Sequence, residues 1–262
     1  MGRRVYARLH PLIILLCIGC VALAIVYYLR NKEGFQDTES TLDLVVARYQ
    51  EDISWIKNIP NDIYDRVIIY NKGDDTEFNI DRSEVRKLPN LGRESHTYLS
   101  HVVDNYDNLA DLTFFVPGSA WYRDDKKKRV LRISDYLKNG EDSYIIGHKN
   151  DGMINDTYNF SIDTWTVTNE ANRQKNPDST LVPSNDRPLR NWFEKRFPNE
   201  KLKCVTFTGI LVVSREDIQK RPVEFYKELL QEHSHTNPEV VHYSERVWKN
   251  IFSIDDKNCV VE

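Results

Sequence analysis

Residues Pro11 to Leu29 form an apolar run of 19 residues without a charged side chain. A helix needs about 20 such residues to cross the hydrocarbon core of a bilayer. An apolar run this long is typical of a membrane span rather than of a strand or helix in a soluble core. We therefore predict that residues 11–29 are a transmembrane signal anchor that holds the protein in a membrane.

Positive charge is denser before this run than after it. Arg3, Arg4 and Arg8 precede the run, whereas the segment after it mixes basic and acidic residues. Because cytoplasmic flanks carry the excess of basic residues, we predict a cytoplasmic tail over residues 1–10. The protein would then be a single-pass type II membrane protein with a lumenal or extracellular C-terminal domain, in the Golgi or ER, or in a host membrane if it is viral. A cleaved signal peptide is the alternative, although no small-residue cleavage site ends the run.

The remainder of the chain has the size of one domain. Residues 30–41 are polar and typical of a stem, and residues 42–262 are enough for a single domain with its own core. The net charge of -4 argues against a nucleic-acid partner, and the short basic run Lys126–Arg129 is typical of a solvated loop. The aromatic content of 11% suits a domain that handles carbohydrate, and it suits an ordinary aromatic core as well.

Hydrophobic periodicity predicts an α/β fold. Leu42–Ala47 and Val67–Tyr70 are typical of buried strands. Between them, Gln50–Ile59 has apolar residues at helical spacing and stops at Pro60. A strand, a helix and a strand in this order open an α/β unit with a parallel sheet.

Later segments continue this alternation. We predict strands over Leu112–Val116, Ile162–Val167 and Val205–Val213, and helices over Arg93–Tyr106, Leu189–Phe197, Val223–Gln231 and from Thr236 to Ile251. The polar stretch from Asn169 to Asp186 is either a functional lid or a flexible insertion.

Two further features suit an exported domain. Cys204 and Cys259 are the two cysteines outside the apolar run, and they can form a disulfide in an oxidising compartment. Asn155 and Asn159 each begin an Asn-X-Ser/Thr sequence in a polar stretch that is typical of a surface loop. They are therefore candidate glycosylation sites.

Three segments together resemble a known family. They are Val45–Trp55 (VVARYQEDISW), Leu88–Leu99 (LPNLGRESHTYL) and His242–Trp248 (HYSERVW) with Ile251 and Phe252. They are similar to a glycosyltransferase-like family of unknown function found in fungi, algae and large DNA viruses. The resemblance covers nearly all of residues 42–262. It implies a GT-A-type enzyme: a Rossmann-like, mixed and mostly parallel sheet flanked by helices, a nucleotide-sugar donor, a glycan or protein acceptor, and an N-terminal membrane anchor.

Ligands of parallel α/β sheets bind beyond the carboxyl ends of the strands, and the candidate donor-binding residues cluster there. They are Arg48, Glu51 and Asp52 after the first strand, Asn71 and Lys72 after the second, and Arg93 at the start of a helix. A cation beside the free N–H groups of a helix start suits a diphosphate. The alternatives are an acidic first helical turn for Glu51 and Asp52, and a surface arginine for Arg93.

Glu245 is the candidate catalytic residue. Its spacing from Val241 and Trp248 places it beside the apolar stripe of the last helix. Partial desolvation there would raise the pKa of the Glu245 carboxyl and suit it to deprotonate an acceptor hydroxyl. A structural pairing with Arg246 is the alternative.

The chain departs from the GT-A type at the metal motif. Such enzymes usually hold a divalent cation with an Asp-x-Asp after a middle strand, and that motif is absent from Phe115–Trp121. Asp124 and Asp125 are the nearest candidate ligands for Mn²⁺ or Mg²⁺, although adjacent carboxylates in a polar turn are usually solvated. Without a metal, Lys72, Arg93 or Arg123 would have to offset the diphosphate charge.

The sequence thus predicts a membrane-anchored glycosyltransferase-like protein that transfers a sugar from a nucleotide-sugar donor to an acceptor hydroxyl. The alternative is a membrane-tethered carbohydrate- or nucleotide-binding module without catalytic activity.

Overall fold

The computed structural model describes residues 40–162 and 181–262. The predicted tail, the anchor at residues 11–29, nearly all of the stem and most of the predicted strand Ile162–Val167 lie outside these residues. No helix within the described ranges is long and apolar enough to cross a membrane. The described residues all belong to one folded unit, which spans Ser40–Glu262.

In the described part of the chain, seven strands form one mixed sheet. They are β1 (Leu42–Arg48), β2 (Arg66–Asn71), β3 (Ser83–Lys87), β4 (Leu112–Pro117), β5 (Tyr144–Gly147), β6 (Leu211–Ser214) and β7 (Cys259–Val261). Their spatial order is β3-β2-β1-β4-β6-β5-β7, and β6 runs antiparallel to both of its neighbours. The other neighbouring pairs are parallel. This confirms the prediction of an α/β fold with a mostly parallel sheet.

Helices pack on both faces of this sheet. The described α-helices are α1 (Arg93–Asn105), α2 (Asp124–Tyr136), α3 (Asp151–Tyr158), α4 (Leu189–Arg196), α5 (Arg215–Gln219), α6 (Val223–His233) and α7 (Val240–Ile251). Short 3-10 helices cover Ser54–Asn58, Tyr106–Asn108, Gly118–Trp121 and Asp256–Asn258.

The core has two parts because successive side chains of a strand point to opposite faces of the sheet. On β1, Val45 belongs to one cluster with buried residues of α1, α4, α6 and α7. Leu44 and Val46 belong to a second cluster with the 3-10 helix Ser54–Asn58 and with α2. The sheet is thus the middle of three layers.

The predicted helix over Gln50–Ile59 is wrong, since only Ser54–Asn58 forms a 3-10 helix. The preceding residues are held in an irregular turn by their own carboxylates. Glu51 Oε2 accepts a hydrogen bond from the Tyr49 N–H (2.7 Å), and Asp52 Oδ1 accepts one from the Ser54 N–H (2.9 Å). These local acceptors compete with the helical hydrogen bonds.

Three other predictions need correction. The strand predicted over Val205–Val213 is reduced to β6, with Val205 in an isolated bridge to His148. The basic run Lys126–Arg129 is not a loop but part of α2, where Val130 and Ile133 anchor the helix in the core. The last helix begins at Val240 rather than at Thr236.

Candidate functional site

A cleft of about 330 Å³ lies at the carboxyl ends of β1, β2 and β4. The charged side chains that line it are Arg48, Glu51, Lys72, Arg93, Glu94, Arg123, Lys126 and Glu245. The structure therefore brings six of the predicted site residues together, namely Arg48, Glu51, Lys72, Arg93, Arg123 and Glu245. Asp52, Asn71, Asp124 and Asp125 do not line this cleft.

The strand register explains why the first residues meet. Arg48 at the end of β1 lies opposite Asn71 at the end of β2, and Ala47 lies opposite Pro117 at the end of β4. Gly118 follows at a close approach. A Cβ atom there would lie 3.0 Å from Glu51 Oε2 and 3.2 Å from the Ala47 carbonyl oxygen. A glycine therefore lets the turn after β4 lie directly against the end of β1.

Asn71 is a buried brace beneath the cleft. Its Oδ1 accepts a hydrogen bond from Arg48 Nη1 (2.7 Å), and its Nδ2 donates to the Asp74 carbonyl (3.0 Å). Arg48 also donates from Nε to the Glu51 carbonyl (3.2 Å). The two side chains together fix the cleft wall formed by the ends of β1 and β2.

Lys72 ties the end of β2 to the start of α1. Its Nζ donates hydrogen bonds to the carbonyl oxygens of Leu91 (2.6 Å) and Arg93. Burial lowers the pKa of Lys72 to about 7, and the nearby Glu94 carboxylate opposes this shift. Gly92 precedes α1 in the left-handed conformation and provides no side-chain cap. The first N–H groups of α1 thus begin at the cleft without a capping side chain.

Glu245 lies on α7, half-buried at the cleft wall. Burial is the main reason that its pKa is raised to about 7, and repulsion from Glu94 adds to the effect. Arg246, Lys126 and Arg93 act in the opposite direction. Glu245 thus has the raised pKa that desolvation on its helix face led us to expect, while its role as a base stays a prediction.

Arg246 points to other partners. Its guanidinium packs over the ring of Phe160, 3.7 Å from the centroid, and its Nη1 donates to the His242 carbonyl (2.8 Å). In the described structure no ion pair joins Arg246 to Glu245. The carboxylate is therefore left facing the cleft.

A kink in α7 lies two residues after Glu245. Val247 has non-helical torsion angles (φ -126°, ψ 24°). Thr206 bonds to the carbonyls at this point: its Oγ1 donates to Glu245 (2.5 Å) and its N–H to Arg246 (3.2 Å). Thr206 therefore holds the helix segment that carries the cleft carboxylate.

Asp52 lies outside the cleft, contrary to its predicted place among the donor-binding residues. Its carboxylate accepts hydrogen bonds from the N–H and the hydroxyl of Ser54, which lower its pKa. Its own N–H donates to Tyr122 Oη (2.8 Å). The Asp52 carboxylate is thus held in a local turn before the 3-10 helix Ser54–Asn58, and not in the acidic first helical turn given as the alternative.

The predicted metal ligands do not form a cation site in the described structure. Asp124 and Asp125 lie in the first turn of α2. Both oxygens of Asp125 accept from Arg123, at 3.0 Å from Nε and 2.7 Å from Nη2. Among the residues described, no group of three or more His, Cys, Asp or Glu side chains could hold a metal ion. This pair of carboxylates therefore does not fit a divalent cation held against a ligand in the cleft.

The cysteines and glycosylation candidates lie away from the cleft. Cys204 and Cys259 form a disulfide that joins the segment before β6 to the start of β7, and both are buried. Asn155 is exposed, but it lies within α3 rather than in the expected surface loop. Asn159 is exposed and follows the end of that helix.

Sequence reasoning missed three functional candidates: Glu94, Lys126 and His242 all line the cleft. Two of them had a signal, since Glu94 follows Arg93 in the first turn of α1 and His242 lies three residues before Glu245 on one face of α7. Burial lowers the pKa of His242 to about 3, with a further contribution from Arg93 and Arg246. Its imidazole is therefore neutral at physiological pH.

A second cavity, of about 510 Å³, lies between residues 182–186 and α6. Its two cations are already paired with carboxylates: Asp186 accepts from Lys195 (3.0 Å) and Arg196 (3.1 Å), and Arg196 also pairs with Glu232. Glu228 adds a third carboxylate, so acidic groups are in excess there. The cleft at the sheet edge differs because five cationic side chains and three carboxylates share it. It is therefore the stronger candidate site.

Residues 44–262 match the model of a family described as protein of unknown function (DUF3431). All the residues that line the cleft lie within the matched range. A comparison with the curated proteins finds no match. Because the match covers most of its length, the chain belongs to the DUF3431 family.

Proposed function

We propose that the protein is a membrane-anchored, GT-A-like glycosyltransferase that transfers a sugar from a nucleotide-sugar donor to the hydroxyl of a glycan or protein acceptor. The anchor at residues 11–29 would hold its catalytic domain on the lumenal or extracellular side of a membrane. One observation carries the proposal: a cationic wall and a carboxylate of raised pKa share one cleft at the carboxyl edge of a mostly parallel sheet.

The position of the cleft supports a nucleotide ligand. The first four strands have the order β3-β2-β1-β4, which is the order of a Rossmann-like half-sheet. The chain leaves β1 towards β2 on one side, and β4 lies on the other side. In open α/β sheets this change of direction creates the crevice where nucleotides bind.

The charges of the cleft suit a sugar diphosphate. With every group ionised, five cations and three carboxylates give a formal charge of +2. A diphosphate diester carries two negative charges, and Arg and Lys are the usual partners of phosphate oxygens. The free N–H groups at the start of α1 would add to this attraction.

Glu245 is the base in this proposal. A carboxyl with a pKa of about 7 is partly ionised at neutral pH and can both accept and hold a proton. The proton of the acceptor hydroxyl passes to Glu245, and the acceptor oxygen forms a bond to the anomeric carbon. The bond from that carbon to the diphosphate breaks, and its electron pair leaves with the nucleoside diphosphate.

Thermal-shift titration of the full-length protein with UDP and GDP, with and without manganese, tests the proposal. A ligand at 100 times its dissociation constant stabilises the folded state by about 2.7 kcal/mol. For a domain of this size, that corresponds to roughly 5–10 °C in Tm. No nucleotide-dependent stabilisation under any of these conditions would contradict the proposal. Stabilisation without donor turnover would instead favour the binding-module alternative.

A further inference from the structure

We propose that the cations of the cleft, led by Arg93 and Lys126, hold the diphosphate of the donor directly, in the role that a carboxylate-bound divalent cation has in the GT-A type. The inference rests on the proposed function, because it assigns the charge-neutralising residues of the same site. It follows from four observations on the placement and pairing of these side chains.

The first observation is that the cations come from different segments and meet in one cleft. Lys72 follows β2, Arg93 begins α1, and Arg123 and Lys126 flank the start of α2. Two 13-residue helices therefore begin at the cleft, and each presents a cation there. The positive ends of the helix dipoles add to the charges of the side chains.

The second observation concerns pairing. Within the described ranges, Arg93 and Lys126 have no carboxylate at ion-pair distance, although both favour the ionised form of Glu245. Lys72 uses two of its three N–H donors on the carbonyls of Leu91 and Arg93. Arg93 and Lys126 thus keep their donor groups for a ligand.

The third observation concerns Asp124 and Asp125, the carboxylates predicted to hold a metal. Both lie in the chain between Arg123 and Lys126, which line the cleft, but they do not line it themselves. Asp125 instead holds Arg123 by two hydrogen bonds, with the Arg123 side chain mostly exposed and the Asp125 side chain partly exposed. Such an exposed pair stabilises the protein little, so Arg123 can turn to a phosphate at small cost.

The fourth observation concerns two of the carboxylates in the cleft, Glu94 and Glu245. Burial and repulsion from Glu94 raise the pKa of Glu245, and a protonated Glu245 leaves the cleft with a larger positive charge. A dianionic diphosphate then matches the excess positive charge of the cleft. The site is thus complete for a diphosphate with the chain's own side chains.

Calorimetric titration of the full-length protein with inorganic pyrophosphate, in detergent and excess EDTA, tests this inference. We expect binding in EDTA, and a loss of at least tenfold in affinity in the double variant Arg93→Gln/Lys126→Gln. The control double variant Lys128→Gln/Lys201→Gln removes two exposed lysines outside the cleft, and so the same net charge. It should bind pyrophosphate like the wild type. Asp124→Asn should also bind unchanged.

Binding that appears only with Mn²⁺, or that is unaffected in Arg93→Gln/Lys126→Gln, would overturn the inference. The single variant Lys126→Gln, at a surface position of α2, provides the same comparison if the double variant fails to fold. A protein that binds nucleotide sugars only with Mn²⁺ would keep the proposed function and lose the inference. Pyrophosphate binding in EDTA without any nucleotide-dependent stabilisation would keep the anion site and contradict the proposed function.

Discussion

The hydroxyl of Thr206 donates a hydrogen bond to the carbonyl oxygen of Glu245, over a distance of 2.5 Å. The Thr206 N–H also donates to the carbonyl of Arg246 (3.2 Å), so one residue satisfies both groups at the kink of α7. Thr206 lies just before β6, in the segment that the disulfide Cys204–Cys259 ties to β7. The place of the cleft carboxylate therefore depends on the opposite end of the sheet as well as on its own helix.

Replacing Thr206 by valine should move Glu245 without touching the cleft directly. The variant Thr206→Val keeps the shape of the side chain and removes one hydrogen bond, at a cost of about 1 kcal/mol in stability. We expect a fall in donor turnover that exceeds this small change in Tm, because a base must lie within hydrogen-bond reach of its proton. Thr206→Ser keeps the hydroxyl and should retain turnover. Equal turnover in Thr206→Val and wild type would contradict a positioning role.

The repulsion between Glu94 and Glu245 should appear in the pH dependence of turnover. In Glu94→Gln the pKa of Glu245 falls, because one cause of its rise is removed. A base works in its ionised form, so the acid limb of the pH–rate profile should move to lower pH, by about one pH unit or less. Glu141→Gln, an exposed acid outside the cleft, is the control. An acid limb that stays in place would show that Glu94 does not act on Glu245.

Glu245 should cost the protein stability at high pH. Its folded pKa of about 7 lies above the unfolded value of about 4.3, so the folded state holds the proton more tightly. Below the unfolded pKa, Glu245 is protonated in both states and does not lower the stability. As the pH rises from the unfolded pKa to the folded pKa, the free energy of unfolding falls.

Glu245→Gln should therefore raise Tm relative to wild type at pH 8 and change it little at pH 4.5. The expected gain at pH 8 is on the order of 1–3 kcal/mol. Thermal melts of both proteins over this pH range give the comparison. A difference in Tm that does not depend on pH would rule out a raised pKa for the half-buried Glu245 carboxyl in the folded state.

The disulfide should contribute to stability through the chain it closes. Cys204 and Cys259 are 55 residues apart, and the loop between them includes β6, α5, α6 and α7. Removing a bridge of this kind costs about 2–4 kcal/mol. Cys204→Ala/Cys259→Ala should thus melt well below the wild type under oxidising conditions, and a reductant should lower only the wild-type Tm. Equal Tm values for the wild type and the double variant under oxidising conditions would show that the bridge is not formed.

Strong periodic patterns predicted the central elements of the fold. β1, β2 and β4 are buried and α1 packs in the core, so burial and periodicity agree there. β3 was missed because its sequence Ser-Glu-Val-Arg-Lys lies at the sheet edge with no buried residue to mark it. α2 was missed as a whole because charged residues fill its first turns, ahead of the core positions Val130 and Ile133.

The candidate site was predicted to the level of the sheet edge and no further. The rule that ligands bind at the carboxyl ends of parallel strands located Arg48 and Lys72. It could not tell which neighbouring side chains enter the cleft, because local hydrogen bonds decide that. Asn71 accepts a hydrogen bond from Arg48 beneath the cleft, and Asp52 accepts one from Ser54 outside it. Glu94 and Lys126 come to the cleft only through the packing of α1 and α2.

Donor turnover by Glu245→Gln is the most direct test of a transferase site in this cleft. Release of nucleoside diphosphate from a panel of nucleotide sugars would be measured for the full-length wild type, for Glu245→Gln and for the control Glu141→Gln. We expect release by the wild type and the control, and release at least about 100-fold slower by Glu245→Gln, with nucleotide-dependent stabilisation retained. No release from any donor by the wild type, or release by Glu245→Gln at the wild-type rate, would contradict a transferase site in this cleft.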